Sequence, residues 1–347
     1  MDIDQYRHMI NQFDFDQCKR GNQGFDRILV QLFGLLGNGK SSFINTCKYV
    51  WDDGEYKNLA KARGTLGGAT TVRMPYKLTE NITLVDNRGY KSLDPYETGE
   101  IFAQLGNLLP LGDTVTWSRG FDLSQRIVKA EKEIKTSDFI VPVFVHSVRR
   151  SIAPQERDEL QCVIRTAMEL TGVYPIVVLT HKTSGNLTGT EMTFRNMGVD
   201  RIFAFENYTE NDTRKLRGRH EEVLKFLCEV IKDVQFRAAQ PRDPVREMKD
   251  RKKFVLNFVQ AREAEIQRLN IEEQKKRERE ERERKLTAEQ EALEKRARKE
   301  EKMHKEEIRK QREENRRMKE IQDAEFRREE EDAQTHHKKR KKRCVLQ

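Results

Sequence analysis

The chain has 347 residues, of which 36% are charged and 36% hydrophobic, with five cysteines and a formal net charge of +9. The charge is uneven: residues 1–245 hold 33 basic and 32 acidic residues, whereas residues 246–347 hold 34 and 26, a density too high to bury a core. No apolar run is long enough to span a bilayer, the start Met1-Asp2-Ile3-Asp4 lacks the pattern of a secretory signal, and Cys18, Cys47, Cys162, Cys228 and Cys344 show no zinc-site spacing. These features predict one globular domain with a charged extension, made in the cytosol.

After a lead-in over 1–25, the pattern over 26–237 alternates short apolar runs with helical segments, as in a mostly parallel sheet covered by helices on both faces. Strands are predicted at about 27–33, 72–78, 82–86, 139–145, 174–180 and 201–205. The second and third are separated only by Thr79-Glu80-Asn81 and should form an antiparallel hairpin. Helices are predicted at about 40–50, 96–108, 122–135, 154–171, 189–197 and 212–237. Within 154–171, Leu160, Val163, Ile164, Ala167 and Leu170 make one apolar stripe.

Between the first strand and the first helix lies Gly34-Leu35-Leu36-Gly37-Asn38-Gly39-Lys40-Ser41, a match to GxxxxGK[ST]. In that context Gly34, Gly37, Asn38, Gly39 and Ser42 wrap backbone amides around a phosphate chain. Lys40 reaches the β- and γ-phosphates, and Ser41 ligates Mg²⁺. Leu84-Val85-Asp86-Asn87-Arg88-Gly89 ends an apolar strand in DxxG, so Asp86 would hold Mg²⁺ and the Gly89 amide would meet the γ-phosphate. Thr70 and Thr71 precede the second strand where a switch threonine could complete the metal shell, and Thr71 is favoured. Lys40, Thr71 and Gly89 are therefore the expected catalytic groups.

Thr180-His181-Lys182 and Phe205-Glu206-Asn207-Tyr208 follow the fifth and sixth strands and could form a base pocket. With "LLGNGKSSFIN", "LVDNRGY", "PIVVLTHK" and "IFAFENYT", the chain resembles GTPases of the interferon-induced protein 44-like family over roughly residues 13–237. It is more distantly similar to the immunity-associated and chloroplast-import-receptor GTPases. The resemblance implies a Ras-like GTP-binding domain, with an innate-immune or membrane-remodelling setting. One departure is the missing N/TKxD aspartate: Lys182 is followed by Thr183, Ser184 and Gly185, and Glu206 could supply the carboxylate instead. Tyr90 stands where Ras-type enzymes place a water-orienting glutamine, so intrinsic hydrolysis should be slow, or depend on dimerisation or a partner. An ATP-binding module and a nucleotide-binding scaffold without turnover are the competing readings.

Ala238 to Pro244 forms a Pro-containing linker at 238–245, and a helix follows over 246–337 without Gly or Pro. Val255, Phe258, Val259, Ile266 and Leu269 make a stripe that could pack on the domain or on a second copy. Beyond it, Glu precedes Lys or Arg by four residues repeatedly, in Glu273/Arg277, Glu278/Arg282, Glu280/Arg284, Glu281/Lys285, Glu291/Lys295, Glu294/Arg298, Glu301/Lys305, Glu306/Lys310 and Glu313/Arg317. A continuous helix of this span would extend roughly 140 Å. With few apolar seam positions it reads as a solitary charged helix, with weak self-association through 246–271, over a coiled coil. Acidic and basic charges nearly cancel up to residue 334, so nucleic acid is not an expected partner.

Residues 338–347 hold a polybasic run, Lys338 to Arg343, and Cys344-Val345-Leu346-Gln347 matches a C-a-a-X farnesylation box. A prenyl group plus a basic patch is the two-signal anchor to anionic lipids of a cytosolic membrane face, with a nuclear-localisation cluster as the alternative. The overall plan is also similar to that of guanylate-binding proteins. The expectation is a membrane-tethered switch binding GTP or GDP with Mg²⁺, with a homodimer possible through the domain or the helix.

Overall fold

The computed structural model describes residues 1–60, 72–91, 95–115 and 122–343. The chain divides into two units, Met1–Ile266 and Gln267–Gln347. The first unit is mixed α/β. Helix α1 spans Ile3–Asn11, followed by β1 (Arg27–Phe33), α2 (Lys40–Asp52), β2 (Met74–Lys77), β3 (Ile82–Asp86), α3 (Pro95–Leu105) and α4 (Asp122–Ala130). Then come β4 (Asp138–Ser147), α5 (Pro154–Thr171), β5 (Ile176–Thr180), α6 (Leu187–Asn196), β6 (Ile202–Phe205), α7 (Arg217–Ala238) and α8 (Pro244–Arg343).

Among the described residues six strands form one sheet in the order β2-β3-β1-β4-β5-β6. Only β2 runs antiparallel, pairing Met74 with Asp86 and Lys77 with Thr83, as the short hairpin connection requires. Pro75 sits in the middle of this edge strand, opposite Val85. The central strand β1 is parallel to β3, with Leu32 beside Asp86, and to β4, with Phe33 beside Phe144.

Side chains of a strand alternate between faces, and here both faces are apolar because both are covered by helices. Val30, Val143 and Val178 face a cluster completed by Phe43, Phe226 and Leu227 of α2 and α7, joined by Ile10 of α1. Phe33, Phe144 and Val177 face a second cluster with Phe102, Ile164, Phe194 and Val255. The stripe predicted in 154–171 lies there in full: Leu160, Val163, Ile164, Ala167 and Leu170 are all buried.

The structure differs from the sequence reading in several places. The lead-in contains α1, whose Asp2 and Gln5 form a reciprocal capping box at 2.9 Å each way. The helical pattern of 122–135 stops at Ala130, and that of 212–237 begins at Arg217. The stripe of 246–271 is mostly not a free face: Val255 and Val259 are buried in the second cluster, and Phe258 meets Phe102 edge-on with ring centres 5.0 Å apart. Of the two readings of that stripe, packing on the domain is the one seen for Val255, Phe258 and Val259 in place of self-association there, while Leu269 and Ile271 at its end are exposed.

The turn between α7 and α8 is tied down by the lead-in. Gln23 donates to the Ala238 carbonyl at 2.8 Å and accepts from the Arg242 amide at 2.8 Å, while Arg20 donates to the Ala239 carbonyl at 3.1 Å. Pro244 occupies the first turn of α8, where its missing N–H costs nothing. Arg251, on the buried side of this helix, donates to the Gly106 carbonyl at 3.1 Å.

The second unit is the remainder of α8. Its side chains up to Ala333 are exposed, and four of the predicted i,i+4 pairs form: Glu273–Arg277 at 2.6 Å, Glu281–Lys285 at 2.8 Å, Glu294–Arg298 at 3.7 Å and Glu301–Lys305 at 2.5 Å. Each such pair adds only a few tenths of a kcal/mol, so helicity here rests on repetition and on strong helix formers. No helix of the described residues is long and apolar enough to cross a membrane.

Candidate functional site

The helices following β1 and β4 pack on opposite faces of the sheet, which opens a crevice at the carboxyl ends of these adjacent strands. The Gly34–Ser41 loop fills its floor. Gly34 has φ 144°, and a Cβ there would lie 2.3 Å from the Val145 carbonyl oxygen, so only glycine lets β1 leave the sheet so close to β4. Asn38 is buried and donates to the same carbonyl at 3.2 Å. Gly39, left-handed at φ 85°, starts α2, whose amides open toward the loop. Ser42 lies in the first turn of α2, and its carbonyl accepts from Thr46 Oγ1 at 2.8 Å.

Lys40 is buried, with its Nζ donating to the Gly34 and Leu35 carbonyls at 3.0 and 3.1 Å. Burial pushes its pKa down to about 8, against an opposing pull from Asp86. The ammonium therefore closes the loop on itself. Ser41 Oγ donates to Asp86 Oδ2 at 2.7 Å, bringing the two expected Mg²⁺ ligands together from α2 and the end of β3. Among the described residues no group of three or more His, Cys, Asp or Glu could hold a metal ion. The hydroxyl–carboxylate pair suits a hard cation that takes its other oxygens from phosphate and water.

The DxxG loop completes the enclosure. A Cβ on Gly89 would stand 2.7 Å from Lys40 Nζ and 2.8 Å from Leu36 Cδ2, so a bare backbone is needed where this loop meets the lysine. The next residue, Tyr90, packs its ring into the core. Its carbonyl accepts from the Leu36 amide at 2.9 Å while its ring is fully buried among Phe33, Leu35 and their neighbours. Burial drives the phenol far above its ordinary pKa, and its hydroxyl has no hydrogen-bond partner among the described residues.

The two segments expected to form a base pocket converge on the start of α2. Thr180 Oγ1 donates to the Asn38 carbonyl at 2.8 Å, and Asn207 Nδ2 reaches the Gly39 carbonyl at 3.5 Å. Asn207 is buried, and its Oδ1 has no partner among the described residues, leaving an acceptor at the loop. His181 is left-handed at φ 57°, with Nδ1 2.9 Å from Ser147 Oγ and 3.1 Å from Thr180 Oγ1. Desolvation, with Arg149 nearby, lowers its pKa against an opposing pull from Glu206. Glu206 Oε2 accepts from the Thr183 amide at 3.0 Å and the Thr183 hydroxyl at 2.6 Å, which brings a carboxylate to the turn lacking the aspartate. Lys182 is held elsewhere: its Nζ meets both Glu222 oxygens on α7 at 2.5 and 2.7 Å.

Thr70, Thr71 and Cys344 lie outside the described residues. Sequence reasoning missed the support under the DxxG loop. Arg73, fully buried, donates to Asn87 Oδ1 at 3.0 Å, to Asn107 Oδ1 at 2.9 Å and to the Leu109 carbonyl. Asn87 in turn donates to Gln31 Oε1 at 2.9 Å and to the Leu32 carbonyl at 3.0 Å, and Asn107 donates to Asp138 Oδ2 at 3.1 Å. Asn87 inside the motif was the available signal; Arg73 carried none.

No protein-family model matches this chain, and no curated protein matches it. Similar solved structures include a Thermus thermophilus protein, with 15% identity, a TM-score of 0.29, and 60% of this chain and 31% of that chain covered. Era in complex with MgGDPNP and 16S ribosomal RNA shows 14% identity and a TM-score of 0.30, over 60% of this chain and 56% of that chain. The nucleolar GTP-binding protein 1 of Plasmodium falciparum shows 13% identity and a TM-score of 0.31, over 61% of this chain and 89% of that chain. The chain thus spans about a third of the first of these proteins and little more than half of Era.

Proposed function

We propose that the Met1–Ile266 unit is a guanine-nucleotide-binding switch that takes GTP or GDP with Mg²⁺. The observation that carries this reading is the meeting of Gly89 with Lys40, beside the Ser41–Asp86 pair, in one crevice. Phosphate oxygens would replace the Gly34 and Leu35 carbonyls at the Lys40 ammonium, with amides of the glycine loop around them. Ser41 and Asp86 would hold the cation, with Thr71 as its expected further ligand. A bound Mg²⁺ supplies neutralisation of charge on the β- and γ-phosphate oxygens. The Gly89 amide would report the presence of the γ-phosphate to the DxxG loop. Guanine is proposed over adenine because the Glu206 carboxylate could accept from the adjacent N1–H and N2–H donors that only guanine offers. The resemblance to interferon-induced protein 44-like GTPases agrees with this assignment.

Hydrolysis is proposed to be slow, because Tyr90 is packed in the core and offers nothing to orient a water. The same burial favours a second reading, a nucleotide-binding scaffold with little turnover whose charged helix recruits partners. The basic run and Cys344 are proposed to anchor the protein to anionic membranes after prenylation. Titration of the full chain with fluorescent GTP and ATP analogues plus Mg²⁺ tests the assignment: GTP-selective binding, lost in Lys40→Ala, supports it, and equal affinity for ATP overturns the guanine reading. Single-turnover hydrolysis then separates switch from scaffold. Membrane partition of prenylated chain that survives Cys344→Ser would reject the anchor.

A further inference from the structure

The exposed part of α8 carries an ordered charge pattern. Over 297–322 two rows of positions repeat every seven residues: Ala297, His304, Gln311 and Met318, and Glu301, Ile308, Asn315 and Gln322. Successive members of the two rows are four and three residues apart, so they share one side of the helix. This seam carries a single charge, Glu301, which Lys305 holds at 2.5 Å, in a helix otherwise dense with charge. Ile308 and Met318 on it are 39% and 56% exposed.

The flanks of the seam are sorted by sign. On one side stand Glu300, Glu307 and Glu314, and on the other Arg298, Lys305, Arg312 and Lys319, each row again with a spacing of seven. When two such helices pair in parallel and in register, the flank of one faces the opposite flank of the other, five residues on. Glu300 then meets Lys305 of the second copy, Glu307 meets Arg312, and Glu314 meets Lys319. An antiparallel pair would place the glutamate rows together and the basic rows together. A polar seam position such as Asn315 also fixes register in two-stranded pairs.

We infer that residues 297–322 of α8 form a parallel, in-register pairing surface for a second copy of this chain. The apolar content of the seam is small, so charge pairing sets both the partner and the orientation, and the association weakens as salt screens it.

Sedimentation equilibrium of the full, nucleotide-free chain at low salt tests this. The expected mass is twice the 41.0 kDa of one chain, falling toward one chain at high salt. The triple variant E300K/E307K/E314K and the triple variant K305E/R312E/K319E should each sediment as single chains, and their mixture should regain the doubled mass. In chains with Cys162 and Cys344 replaced by serine, Ala297→Cys should cross-link on oxidation, while Ala288→Cys, on the opposite side of the helix, should not. A single-chain mass for the unaltered protein overturns the inference. So does a doubled mass indifferent to the glutamate substitutions, or cross-linking that fails at position 297.

Discussion

Gly89 approaches Lys40 so closely that one added carbon would stand 2.7 Å from the ammonium nitrogen. The atoms in its way are mostly the ends of the flexible Lys40 and Leu36 side chains, so Gly89→Ala should fold. The displaced ammonium should then weaken GTP-analogue binding by roughly tenfold or more, the loss of about one charge-assisted hydrogen bond. Calorimetric titration beside a thermal melt checks this: unchanged affinity would detach the DxxG loop from the phosphate site.

Nucleotide affinity should decline in alkali. On the proposed reading Lys40 would bind phosphate as the ammonium; its pKa in the free chain is lowered to about 8 by burial, and phosphate charge would raise it. Affinity is therefore fully present below about pH 8 and falls above it, by up to roughly tenfold per unit. In Lys40→Arg, whose guanidinium does not deprotonate, any remaining binding should lack this decline.

Tyr90→Phe should stabilise the protein. The Tyr90 hydroxyl is buried without a partner among the described residues, so its removal relieves about 1–2 kcal/mol of desolvation. A melting temperature a few degrees higher is expected. Tyr90→Gln, the residue of Ras-type enzymes, should instead lower it and leave turnover no faster.

Arg73→Met should cost about 3–5 kcal/mol, because Asn87, Asn107 and the Leu109 carbonyl all lose a buried donor. Arg73→Lys should not restore the loss, since one ammonium cannot reproduce a fork spread over three acceptors. Denaturant melts of the two variants, interpreted with a constant slope, decide it.

A chain ending at residue 245 should be much less stable than one ending at 266. The shorter chain strips Val255, Phe258 and Val259 from the second apolar cluster and Arg251 from the Gly106 carbonyl. Comparison of their melting temperatures checks it, and equal values would make the start of α8 an appendage.

The strands and the glycine loop were legible because their signals are local: apolar runs, a fixed spacing, a hairpin of three residues. Helix α1 was missed because its nine residues carry only Tyr6 and Ile10 as buried anchors, and its stability comes from α7. The fate of the 246–271 stripe was illegible for the opposite reason. Periodicity reports that an apolar face exists, while its partner, Phe102 and neighbours on α3, is some 150 residues away in the chain. In the candidate site, motif spacing pointed to Lys40, Ser41, Asp86 and Gly89, which the fold brings together, and position at strand ends pointed to Thr180, His181 and Asn207, which lie near the start of α2. That Lys182 pairs with Glu222 could not be read, because ion-pair choice depends on how α7 lies against β6. Arg73 was hidden by chemistry: a lone arginine in a strand-like run usually points to water, and only the carboxamides of Asn87 and Asn107 let it stay inside.

Pro75 bears on how the sheet ends. The Leu78 amide bonds to the Ile82 carbonyl at 2.9 Å, so by alternation along the hairpin Pro75 and Val85 form a pair without mutual bonds, and the nitrogen of Pro75 turns outward. The rim of the sheet bounded by β2 thus lacks a donor where an incoming strand would need it, with the charged Lys77 two residues on. At that point the β2 edge resists templating by another chain.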